Sequence, residues 1–155
     1  MPRWIAASRG VLVALALLGC ARPASVVVRP QHFAGTVGED APAIRAVVTA
    51  FVLGEGRGDE SVDTLLAPGA DFIATGVPVT ERPRLPGMPG PGTGSVTALR
   101  TSVAGEYAWA VVNYGWVGGN PSAGERGVAT FVLQRLPAGW RIHHVHASHV
   151  ERWGR

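Results

Sequence analysis

The sequence predicts an α+β domain in which one long helix packs on a sheet of long antiparallel strands. Three observations carry that expectation. Behind Asp40 and Pro42, the apolar residues Ile44, Val47, Val48 and Phe51 recur at helical spacing. Stretches 95–103, 107–117 and 125–136 are apolar, strand-length and separated by turn formers. A fourth, 139–150, carries four of the chain's five histidines on a period-two backbone.

Asp40 is a suitable helix N-cap, Pro42 fits the first turn, and Gly54-Glu55-Gly56-Arg57-Gly58 ends the helix. Asp59 or Ser61 then caps a shorter helix through Val62, Leu65 and Leu66, stopped by Pro68-Gly69. Asp71 to Thr75 is a short strand. From Gly76 to Gly94 prolines are too dense for a helix and leave few donors for a sheet. With Leu85 as its one aliphatic anchor besides Met88, the segment reads as a surface insertion, and a lid over a pocket is the functional alternative. The remaining strands turn at Ala104-Gly105-Glu106, at Gly118-Gly119-Asn120-Pro121 and at Pro137-Ala138-Gly139, which makes a meander.

These strands are apolar on both faces. Ala108, Ala110, Val112, Tyr114 and Trp116 share one side, with Trp109, Val111 and Asn113 on the other; Val128, Thr130 and Val132 oppose Ala129, Phe131 and Leu133. An antiparallel sheet with one wet face alternates more cleanly, so a partner is expected on its back, and a homodimer through that outer face is the simplest one.

At 155 residues, 46% hydrophobic and 16% charged, the chain has material for one domain and its core. The first 19 residues read as an export signal: Arg3 and Arg9 precede the apolar run Val11 to Leu18, which is shorter than the roughly 20 residues needed to span a bilayer. Removing them lowers the formal charge from +3 to +1, and no basic stripe remains for nucleic acid. Cys20 is the only cysteine, so no internal disulfide forms. Leu17-Leu18-Gly19-Cys20 resembles the lipobox of bacterial lipoproteins, which implies a lipidated Cys20, a membrane anchor and residence in the cell envelope. Residues 20–38, rich in Ala, Pro, Val and Gly, are the tether, 39–150 the domain and 151–155 a short tail.

Strict alternation along the last strand puts Trp140, Ile142, His144, His146 and Ser148 on one face and Arg141, His143, Val145, Ala147 and His149 on the other. The order of elements resembles the nuclear transport factor 2-like superfamily, and within it the SnoaL-like and DUF4440 branch. Gly58-Asp59, Leu65-Leu66-Ala67-Pro68, Phe72, Ala108-Trp109 and Trp140-x-Ile142-x-His144-x-His146-x-Ser148 carry the resemblance. It implies a cone: a curved antiparallel sheet wrapped around the long N-terminal helix, with a cavity inside and frequent dimerisation. The family normally places a third helix where this chain has its Pro/Gly-rich segment.

Members of such a family include isomerases, cyclases, dehydratases and non-catalytic binding domains, so fold leaves function open. Candidate pocket residues are Trp109, Tyr114, Trp116, His144 and His146, with His144 or His146 as the acid-base candidate and packing as the bland alternative for both. Asp71 and Glu106 fall at strand ends. Two histidines per face, with the cysteine given to lipid, do not make a zinc site, and no cofactor motif is present. Two functions follow: a non-catalytic binding or assembly module at the envelope, or an enzyme performing His-assisted proton transfer or hydrolysis on a small apolar substrate.

Overall fold

The computed structural model describes residues 38–79 and 85–153. The described residues belong to one compact unit, His32–Arg155. The expected signal, Cys20 with its expected lipidation, and most of the expected tether lie outside them.

Helix α1 spans Ala41–Arg57, and its apolar stripe buries Ile44, Val48, Phe51 and Val52. Asp40 stands at the N-cap, but its carboxylate makes no capping bond. It accepts hydrogen bonds instead from the Arg135 guanidinium and from Trp140 Nε1 at 3.3 Å, while Arg135 lies 4.7 Å over the Trp140 ring. The start of the helix is thereby tied to the last hairpin of the sheet. Gly58, left-handed at φ 72°, ends it. Two residues earlier a Cβ on Gly56 would come within 2.5 Å of the Gly94 backbone, so helix and strand meet backbone to backbone there.

The shorter helix is a single 3₁₀ element, Glu60–Leu65, with Asp59 accepting from the Ser61 amide at 2.9 Å. The chain enters β1 (Leu66–Ala74) directly, earlier than Pro68-Gly69 suggests, because residues 66–74 find a partner strand. β2 is Val77–Val79, β3 Thr93–Ala104, β4 Tyr107–Val117, β5 Gly124–Leu136 and β6 Gly139–Trp153. They form one curved sheet in the order β2-β1-β6-β5-β4-β3. β3 to β6 make the expected meander, but β1 runs parallel to β6, so the sheet is mixed rather than antiparallel. β6 also continues to Trp153, past the boundary drawn at Val150.

The core lies between α1 and the concave face. Phe51 packs on Phe131 edge-on at 5.8 Å and on Phe72 at 6.2 Å, surrounded by Val112, Leu133, Ile142 and Val145. Within the Pro/Gly-rich stretch, Leu85 and Met88 are 3% and 2% exposed and belong to this core. The described part of that segment is thus a plug, not a surface insertion, because its two apolar anchors are buried in the core.

Candidate functional site

The last strand does not keep the alternation read from its sequence. In the β5–β6 register, Leu133 pairs with Ile142 and Val132 with His144, leaving His143 as an extra residue. Beyond that bulge every side chain changes face. Val145 and Ala147 are buried inside, and His144 and His146 stand on the convex side. Their proposed place in the cavity is therefore corrected. His144 Nδ1 lies 2.9 Å from Asp71 Oδ1, a pair at the surface in which Asp71 is 67% exposed. His146 is exposed and pairs across the sheet with Thr130.

The five expected pocket residues are split the same way. Trp109 is on the convex face, 42% exposed, beside its cross-strand partner Val132. Tyr114 is on the concave face but wholly packed, in space left by Gly127, where a Cβ would come 2.2 Å from the phenol oxygen. Its hydroxyl donates to the Pro86 carbonyl at 2.7 Å, and burial pushes its pKa up. Trp116, partly buried, donates from Nε1 to the Gly56 carbonyl at 3.2 Å. Among the described residues, Phe51, Phe131, Tyr114, Leu85 and Met88 pack the concave side of the sheet.

Open space lies at the mouth instead. A depression of about 480 Å³ has Leu85, Pro86, Gly87, Met88 and Pro89 on one side and Glu125, His149 and Arg152 on the other. Sequence reading passed over this cluster. A second bulge, at Val150, lets His149 pair with Gly127 and Arg152 with Glu125, so that three groups from two strand ends converge. Glu125 Oε2 lies 2.7 Å from His149 Nε2, and Oε1 accepts from Arg152 Nε. Burial disfavours the Glu125 carboxylate, but the hydrogen bonds and charges of His149 and Arg152 outweigh it and hold the carboxyl below its usual range. With Nε2 on the carboxylate, His149 is held in one orientation with Nδ1 as its remaining ring nitrogen, the arrangement of a carboxylate-oriented acid-base group. The alternation of β5 was the available signal: Leu133, Phe131, Ala129 and Gly127 lead back to Glu125 on the same inner face.

Among the described residues no group of three or more His, Cys, Asp or Glu is placed to hold a metal ion, and no helix is long and apolar enough to cross a membrane.

The convex face is the second candidate surface. Trp109 and Val128, 42% and 37% exposed, flank the partly covered Val111, Thr130 and Val132. Arg100 at one edge and the His144–Asp71 pair at the other rim this strip with charge.

Residues 90–151 match the family model of the SnoaL-like domain. Solved structures place the whole domain in the NTF2-like fold. An NTF2-like protein with a cystatin-like fold from Novosphingobium aromaticivorans superposes with a TM-score of 0.56 at 17% identity, over 73% of this chain and 83% of that one. An NTF2-like superfamily protein from Salmonella enterica serovar Typhimurium gives 0.58 at 20%, over 71% and 90%. A protein from Streptomyces avermitilis, provisionally assigned as a dehydratase of the NTF2-like family, gives 0.54 at 25%, over 72% and 96%. No curated protein matches the sequence.

Proposed function

From an NTF2-like fold with a SnoaL-like stretch over residues 90–151, we propose a non-catalytic assembly module of the bacterial cell envelope, tethered through lipidated Cys20 and paired with a second copy through its convex sheet face. One observation carries the reading. The interior that would hold a ligand in a hollow cone is occupied by Phe51, Phe131, Tyr114, Leu85 and Met88, while the apolar side chains left uncovered are on the outside, around Trp109 and Val128. A strip of that kind inside a charged rim has the anatomy of an interface. The lipobox pattern supports the anchor.

Sedimentation equilibrium of the full chain in density-matched detergent tests the pairing. The wild type sediments as a dimer, and Trp109→Glu, a change at an exposed site, as a folded monomer. A wild-type monomer at tens of micromolar would refute it.

The Glu125–His149 pair favours a second reading, in which the mouth performs proton transfer on a small substrate with His149 as base in place of His144 or His146. The provisional dehydratase assignment of the Streptomyces avermitilis protein agrees with that chemistry. Deuterium incorporation from D₂O next to the carbonyl of a small ketone, abolished in His149→Ala, is its signature.

A further inference from the structure

We propose that the mouth depression is a binding site for a small monocarboxylate with an apolar body, held by Arg152 and His149. The inference is independent of pairing through the convex face, because Glu125 and His149 stand at the end of the opposite, concave face.

Both oxygens of Glu125 are used within the protein, one by His149 and one by Arg152. One acceptor site on each oxygen is thereby engaged, and the carboxylate fixes the two groups that face a ligand. Arg152 spends only Nε on Glu125, and its terminal Nη1 and Nη2 have no protein partner among the described residues. That free edge is the planar fork that fits a carboxylate with two parallel hydrogen bonds. Holding it on Glu125 reduces the freedom lost on binding. His149 Nδ1 is likewise without a partner among the described residues, and it faces a hydroxyl or amide hydrogen of the ligand as an acceptor.

The opposite wall supplies the rest of the ligand's surroundings. Leu85, Pro86, Met88 and Pro89 present carbon, and Gly87 keeps the wall close, since a Cβ there would come within 3.0 Å of both Glu125 and His149. A volume of about 480 Å³ lies within the range of ligand pockets, roughly 300–1,000 Å³. One charged end and one apolar wall describe a carboxylate on a short hydrocarbon or aromatic body, and the acceptor on His149 selects a hydroxyl beside the carboxylate.

Isothermal titration of 3-phenylpropionate, its 2-hydroxy derivative 3-phenyllactate and the neutral 3-phenylpropanamide into the full chain in nanodiscs, with empty nanodiscs as blank, tests this. Both carboxylates bind, the hydroxy acid several-fold more tightly, and the amide at least tenfold more weakly. Arg152→Gln removes that preference for carboxylate over amide, and Arg152→Lys, which keeps the charge without the fork, restores part of it. Arg152 is 75% exposed, so these variants keep the fold, which circular dichroism checks. Equal affinity for carboxylate and amide, an unchanged preference in Arg152→Gln, or no binding of any probe at millimolar concentration overturns the proposal.

Discussion

The Tyr114 hydroxyl donates to the Pro86 carbonyl at 2.7 Å, and this bond joins the sheet to the segment that closes it. Leu85 and Met88 enter the core on either side of Pro86, so the segment is held on the sheet by two apolar anchors and one side-chain hydrogen bond. Two backbone bonds add to these contacts, from the Met88 amide to the Leu85 carbonyl at 3.0 Å and from the Gly92 amide to the Gly56 carbonyl at 2.8 Å.

Stability should therefore respond sharply at those anchors. Leu85→Ala is expected to cost about 2–5 kcal/mol, the range for deleting a buried leucine, and Tyr114→Phe about 1 kcal/mol for the lost hydrogen bond. Urea denaturation midpoints at constant slope measure both.

Gly127→Ala is the complementary test. A methyl 2.2 Å from the Tyr114 oxygen forces the ring off its site, and overpacking of this kind costs about 1–3 kcal/mol. The added methyl would strike ring Cζ as closely as the oxygen, so the double variant Gly127→Ala/Tyr114→Leu, which removes both atoms, is expected to be less destabilised than the sum of its two single changes. Strict additivity would place the strain elsewhere.

Stability should fall on the acid side. Hydrogen bonding from Arg135 holds the Asp40 carboxyl below its usual range against slight burial, with Trp140 adding to the effect, and Glu125 is lowered as well. A carboxylate with a lowered folded pKa contributes stability above its unfolded value, about pH 4, and loses it as pH falls through the folded one. Asp40→Asn should thus be less stable than wild type at pH 7, with the gap closing as the pH drops below about 4. Thermal midpoints between pH 7 and 2 show this; a gap constant with pH would mean that Asp40 acts through packing alone.

The histidines separate by face. His144→Ala and His146→Ala are expected to change stability by less than about 1 kcal/mol, because an ion pair with an exposed Asp71 contributes little. His149→Ala leaves Glu125 with Arg152 as its remaining partner. Chemical denaturation of the three single variants is expected to rank His149→Ala as the most destabilising.

Much of this fold was legible from pattern. The β4 limits, Tyr107 and Val117, follow from its turns, and the stripe of Ile44, Val48 and Phe51 marks the buried side of α1. What the pattern hid depends on register. An extra residue at His143 leaves composition untouched yet moves His144 and His146 from the inside of the sheet to the outside. Leu85 and Met88 are two apolar residues in a run of prolines, and only the folded core shows that they are buried. Glu125 and His149, 24 residues apart, meet because a second bulge at Val150 aligns the two strand ends. Parallel pairing of β1 with β6 was likewise invisible, since Leu66 to Ala74 bears no mark of its partner's direction.

Native mass spectrometry of the full chain released from detergent micelles distinguishes a pair of chains from a single one. Association through the convex face predicts twice the chain mass for the wild type and a single chain mass for Trp109→Glu under the same conditions. A folded wild-type protein that remains monomeric, or a Trp109→Glu variant that remains dimeric, would contradict it.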